Sequence, residues 1–272
     1  MSVCTQISVG RQGLRSQKKC RWYQFTLRGL LLFVLLSSLA CSWLAVRMER
    51  ARKQEMAVKT LESFGVAAAY ETRANTPAPL KSLLGRDVFE DMVAINLVSP
   101  SDAELACLDE LPGLRRLCMR GQRVPVTDSA LAHLRSLTKL EELSLPCTGI
   151  TDEGLSNLRG LVRMRRLSLN STCVGDAGVA HLSSLRRLEW LYLSSTRITD
   201  AGLRHLATLS QLRSLGVSNT RVTDAGLRHL AALRRLESLD VSDTEVTPEG
   251  VQELRTALPG LKDVAFARHP RE

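Results

Sequence analysis

Residue types capable of chemistry recur in this chain at fixed intervals. Thr-Asp pairs stand at Thr151-Asp152, Thr199-Asp200 and Thr223-Asp224. A hydroxyl beside a carboxylate is what acid–base or metal-binding chemistry would use. His133, His181, His205 and His229 follow one another at 48, 24 and 24 residues. The seven cysteines are odd in number and include no C-x-x-C pair, which speaks against a disulfide framework or a zinc ribbon. Asn170-Ser171-Thr172 has the form of a glycosylation acceptor, a pattern common by chance. No G-x-S-x-G, Walker loop, dinucleotide fingerprint or H-E-x-x-H occurs. What remains is regular spacing, and regular spacing is the signature of an architecture.

That architecture is a repeat. Leu143, Leu167, Leu191, Leu215 and Leu239 are 24 residues apart, as are Thr148, Thr172, Thr196, Thr220 and Thr244, and Gly154, Gly178, Gly202, Gly226 and Gly250. The unit reads L-x-x-L-x-L-x-x-T-x-[IV]-T-D-x-G-L-x-x-L-x-x-L. Its L-x-L alternates, so the leucines point one way from a short strand. Its G-L-x-x-L-x-x-L places leucines along one face of a helical turn or two. A strand, a turn and a short helix cannot bury their own apolar faces, but stacked units can. The expectation is an α/β solenoid, a curved parallel sheet inside and short helices outside.

The repeat absorbs the chemistry. Thr151, Thr199, Thr223 and Thr247 sit where a helix N-cap is needed, and Asp152, Asp200 and Asp224 then fall in the first turn, favoured by the helix dipole. The last unit carries Pro248 in place of that Asp, a residue suited to the first helical position. The histidines occupy one helical position, on helices roughly 8–10 Å apart, too far for shared ligation. No metal, cofactor or small-molecule substrate is expected, and no enzymatic activity.

With these residues in view, residues 91–266 are similar to the leucine-rich repeat family in its T-D-x-G-L variety, found in cysteine-containing F-box-type proteins and in many bacterial proteins. Thr148, Thr172, Thr196, Thr220 and Thr244 hold the family's Asn or Cys ladder position, where a hydroxyl is expected to bond the neighbouring turn. No F-box-like segment accompanies the repeats. The N-terminal W-Y-Q-F-T-L-R-G-L-L-L resembles the anchors of bacterial membrane proteins with such repeats.

The solvent-facing strand positions would form the concave sheet. Trp190 and Tyr192 flank Leu191 there and are two of only eleven aromatic residues in the chain. With Arg166, Asn170, Ser214 and Asp240 they make the expected surface for a protein partner. Cross-strand packing is the competing explanation. One position earlier Arg115, Glu141, Arg165, Glu189, Arg213 and Glu237 alternate in sign, which reads as a register-fixing ion-pair ladder. The first full unit has 26 residues, from Leu117 to Leu143, and its extra pair falls in the basic loop Arg120–Pro125.

Outside the repeats the composition changes. Apolar residues are 44% of the chain and aromatics 4%, so the core is aliphatic. Gly29 to Val46 holds eighteen positions without a charge, at the lower end of the roughly 17–25 residues that cross a bilayer core. Trp22, Tyr23 and Trp43 stand near its ends, as interfacial rings do. A cleaved leader is the rival reading, because Ser38-Leu39-Ala40-Cys41 approaches a lipoprotein processing site. There Leu39 is one position late, and the apolar run continues through Trp43, Leu44 and Val46, so an uncleaved transmembrane anchor is expected. Six basic residues precede the span and five follow within fifteen, which favours a cytoplasmic N-terminus. Unpaired cysteines in the repeats favour a reducing compartment for them, and the two indications oppose each other.

The organisation expected is a basic tail (1–28), a span (29–46), a juxtamembrane helix and cap (47–90), the solenoid (91–266) and a tail (267–272). Within it Val93–Leu97 reads as the first sheet strand and Pro79–Gly85 as a short helix. The net charge is +9, and the basic N-terminal tail is assigned to anionic lipid beside the span (29–46), not to nucleic acid. The function expected is protein binding at a bacterial inner membrane. The alternative is a structural envelope component that packs against copies of itself.

Overall fold

The computed structural model describes residues 27–62, 67–72, 90–98, 100–120 and 126–267. The chain divides into two units, Met1–Val46 and Arg47–Glu272. The uncharged run lies in helix α1, Leu27–Glu62. Within α1, Leu30–Ala57 is long and apolar enough to cross a membrane, with mean hydropathy 2.0 and its most apolar stretch unburied. Phe33 and Leu39 are 67% and 65% exposed. The charged stretch from Arg47 continues the same helix to Glu62, with no Gly or Pro to stop it.

Among the described residues nine strands form one sheet in chain order. The strands are β1 (Ala67–Thr72), β2 (Glu90–Val98), β3 (Arg116–Arg120), β4 (Glu142–Ser144), β5 (Arg166–Ser168), β6 (Trp190–Tyr192), β7 (Ser214–Gly216), β8 (Ser238–Asp240) and β9 (Asp263–Ala265). From β2 onward all pairings are parallel, as units wound in one direction require. The expected first strand, Val93–Leu97, is part of the second. β1 precedes it and runs antiparallel to it, covering the backbone edge that the first parallel strand would leave open. The run Ala67-Ala68-Ala69-Tyr70 carries no L-x-L signature, so the repeat pattern gave no sign of this strand. The expected helix at Pro79–Gly85, residues 121–125 of the basic loop, and tail residues 1–26 and 268–272 lie outside the described residues.

The register aligns Leu117, Leu143, Leu167, Leu191, Leu215 and Leu239 strand to strand. Within one unit Leu191, Leu193, Ile198, Leu203, Leu206 and Leu209 are all fully buried. Each such side chain contributes about 1.5–3 kcal/mol on leaving water, and only the units on either side can supply that cover. Ala57 of α1 joins the same cluster.

The helical layer changes along the stack. Early units have a short α-turn followed by a 3₁₀ turn, as in Asp128–Leu131 and Ala132–Ser136. Later ones have single helices, Asp200–Leu206, Asp224–Leu230 and Pro248–Ala257. Three residues per turn is the 3₁₀ period, so leucines three apart stay on one face in either form. Strands β4 to β8 each leave through a left-handed residue, Cys147, Ser171, Ser195, Asn219 or Asp243, with φ between 52° and 58°. Its N–H donates to the next unit, Ser195 to the Ser218 carbonyl at 2.8 Å for example.

Candidate functional site

The repeated Thr, Asp and Gly do more than cap helices. Thr199, Thr223 and Thr247 are N-caps whose hydroxyls accept from Ala201, Ala225 and Gly250 N–H. Thr151 is an N-cap by backbone geometry, without such a bond, and the unit between has Gly175 at this position. Each Asp reaches forward to the next unit. Asp200 accepts from Thr223 N–H at 2.8 Å and from its hydroxyl at 2.7 Å. Asp128, Asp176 and Asp224 do the same to Thr151, Thr199 and Thr247, and Asp102 begins the series on Thr127. Asp152 meets only the N–H of Gly175, at 2.6 Å.

The repeated glycine makes room for that carboxylate. A Cβ on Gly154, Gly178, Gly202, Gly226 or Gly250 would collide with Asp Oδ1 of the unit before. Burial pushes the Asp102 carboxyl up, but hydrogen bonds from Thr127 and Ser129 outweigh it and hold the group below its ordinary value.

The buried threonines correct one expectation. Thr148, Thr172, Thr196, Thr220 and Thr244 donate to carbonyls three residues earlier in their own unit, Leu145, Leu169, Leu193, Val217 and Val241, at 2.6–3.1 Å. They close their own turn and do not bond the neighbouring one. The neighbouring units are joined by backbone N–H groups and by the aspartates.

His133 Nδ1 lies 2.7 Å from Asp109. Arg159 donates to His181 Nδ1. Partial burial, then the Arg159 charge, lowers the His181 pKa. Among the described residues no three His, Cys, Asp or Glu converge as a metal site would need.

The sheet face carries the remaining candidates. Arg166, Trp190, Ser214 and Ser238 are cross-strand neighbours, as are Ser168, Tyr192, Gly216 and Asp240. The Arg166 guanidinium lies 4.2 Å from the Trp190 ring centroid, a cation–π contact, and 3.9 Å from Glu142. Tyr192 is 38% exposed. It leans over Gly216, where a Cβ would stand 3.0 Å from Tyr192 Cδ1.

The other two expected members lie apart from this cluster. The Asn170 side-chain carbonyl accepts from Ser194 N–H at 2.9 Å, beyond the strand end. Asp240, two strands from Tyr192, accepts from Ser242 N–H at 3.0 Å. Both polar groups hold turns. Cys118, an outward position of β3, faces the same side between Asn96 and Ser144. Burial, then the Glu142 charge, raises its pKa.

The alternating charges form a ladder over the later units. Glu189 lies 3.5 Å from Arg165 and 3.7 Å from Arg213, and Glu237 3.3 Å from Arg213 and 3.6 Å from Lys262. The arginines are half exposed, so each pair contributes little by itself.

A family model described as Leucine Rich repeat matches residues 133–158 and 233–254. Among solved structures, internalin C2 of Listeria monocytogenes is similar with a TM-score of 0.53 and 19% identity, over 64% of this chain and 80% of that one. An internalin InlF from the same organism aligns with a TM-score of 0.39 and 20% identity, over 61% and 58% of the two chains. No curated protein sequence matches. The 24-residue unit, the parallel sheet with helices behind it, and the likeness to internalin C2 show a leucine-rich repeat fold, which the family model matches over these two segments.

Proposed function

We propose that this chain is a membrane-anchored binding protein whose sheet face, centred on Trp190 and Tyr192, engages a protein partner without chemistry. The leucine-rich repeat fold is typical of protein–protein interaction. The observation that carries the reading is the Arg166–Trp190–Tyr192 cluster, bordered on the next strands by the small residues Ser214, Gly216 and Ser238. Trp, Tyr and Arg dominate binding hot spots because they desolvate a large area at low entropic cost. Ser214 and Ser238, partly exposed in the same cross-strand row as Trp190, add little bulk beside it. Support for the anchor comes from α1, whose apolar stretch is unburied, whereas a soluble protein's core helix would be covered. Six basic groups before the span against five after it favour a cytoplasmic N-terminus, which single-cysteine labelling from each side of intact cells tests.

The deciding experiment compares the wild type with Trp190→Ala/Tyr192→Ala in pull-downs from solubilised membranes. Binding through this face requires that a co-purifying partner be lost while circular dichroism and melting stay close to wild type. A partner retained at wild-type level sinks the reading. Loss of self-association alone assigns the face to a second copy of the chain.

A further inference from the structure

Charge in the repeats is sorted by edge. Because β4 to β8 are parallel and in register, segments leading into the strands line one edge of the sheet and segments leaving them line the other. The leading segments 135–141, 159–165, 183–189, 207–213 and 231–237 hold ten Lys or Arg and three Glu. The leaving segments 147–153, 171–177, 195–201, 219–225 and 243–249 hold eight Asp or Glu and two Arg. Glu189 and Glu237 are taken up by Arg165, Arg213 and Lys262 in the ladder. Arg163, Arg186, Arg187 and Arg234 are exposed, and no ion pair engages them among the described residues. A cleft of about 350 Å³ opens on this edge between Arg213, Arg234, Arg235 and Lys262.

We propose that this basic edge docks on an anionic lipid surface, its free arginines pairing with headgroup phosphates. The sign of the partner follows from charge complementarity, and guanidinium groups suit phosphate oxygens. Strands stand about 4.8 Å apart, so the charges form a row roughly 20 Å long, suited to a flat surface. Val162, 54% exposed, stands in that row beside Arg163, an apolar tip that an interface accepts. No aromatic residue lies in the five leading segments, whereas single-stranded nucleic acid is held by stacking on aromatics. Eight acidic groups lie on the far edge, and of the three on the basic edge Glu189 and Glu237 are paired, so little negative charge opposes approach. The proposal rests on the anchoring reading for proximity, since a tether raises the local concentration of the surface.

The test uses the full chain in nanodiscs of phosphatidylcholine, with and without phosphatidylglycerol, and follows arginine modification by phenylglyoxal. Arg163, Arg186, Arg187 and Arg234 should react several-fold more slowly in the anionic discs, and high salt should abolish the difference. Arg197 and Arg221, on the far edge, serve as internal controls and should not change. Equal reactivity in both discs overturns the proposal. So does protection that arises only when a single-stranded oligonucleotide or an acidic polypeptide is added to neutral discs.

The anchor is judged separately by carbonate extraction. If carbonate strips the chain from membranes, anchoring fails, and flotation with anionic against neutral vesicles still decides the edge. There Arg186→Glu/Arg187→Glu/Arg234→Glu should weaken anionic-vesicle binding roughly a hundredfold or more, at about fivefold per basic group. An unchanged affinity overturns the proposal.

Discussion

Asp200 acts on two positions of the following unit, and this shared contact is measurable. Its carboxylate takes the N–H and hydroxyl of Thr223 and occupies the space a Cβ on Gly226 would need. Asp200→Ala leaves a half-buried N–H without its acceptor and should cost about 1–3 kcal/mol in urea unfolding. Gly226→Ala drives a methyl into the carboxylate and against Leu203, at a similar cost of about 1–3 kcal/mol. The double variant removes the obstacle along with the bonds, so it should be more stable than the two costs added together, by about 1 kcal/mol. Strict additivity would show that the glycine is there for another reason. The first carboxylate of the series adds a pH dependence. Asp102 titrates below its ordinary value in the fold, so the folded state binds fewer protons than the unfolded chain. Its stabilisation is present above an unfolded pKa of about 3.9 and is lost as pH falls through the folded value. Acid unfolding of Asp102→Asn, followed at the first repeat by amide exchange, should show a shallower loss below pH of about 4.

At the scale of the element, each unit turns out of its strand through a residue in the left-handed region. Ser171 does so at φ 58°, is exposed, and holds its place through its N–H to the Ser194 carbonyl at 2.8 Å. A left-handed L-residue costs about 1–2 kcal/mol, and glycine returns part of that as lost chain entropy. Ser171→Gly should therefore stabilise the protein by about 0.5–1 kcal/mol in thermal unfolding, while Ser171→Val at the same site should destabilise it. The strand, turn and helix of each unit were legible because their leucines change period from two to three within 24 residues. The left-handed turn was not, because Cys147, Ser171 and Ser195 stand where glycine or asparagine would announce it. The aspartate bridge was hidden for a related reason, since its bonds join residues 23 apart, one less than the repeat, and a local capping motif explained the same letters. The sheet-face cluster was half legible. Alternation placed Trp190 and Tyr192 outward, but nothing in the sequence shows that Arg166 stacks on Trp190 or that Asn170 and Asp240 turn back to their own backbone.

For the solenoid as a whole, stability is the sum of units and of the interfaces between them, so position in the stack sets the effect of an otherwise equal change. Leu191 is fully buried with a unit on either side, whereas Leu261 is 7% exposed and Val251 8% exposed in the last turn. Beyond β9 the described chain ends at residue 267, and β9 has β8 as its sheet partner on one side. Leu191→Ala should cost about 2–5 kcal/mol and loosen the stack on both sides, because the cavity borders two interfaces. Leu261→Ala should cost less and act locally. Native-state amide exchange separates the two outcomes. In the wild type, protection should be greatest around β5 to β7 and fall toward β9. Leu261→Ala should speed exchange in Pro248–Ala257 and β9 alone, and Leu191→Ala should speed it across the neighbouring units. If both variants lower protection uniformly from β3 to β9, the domain opens as one cooperative body, and the coupling between units exceeds the stability of any single turn.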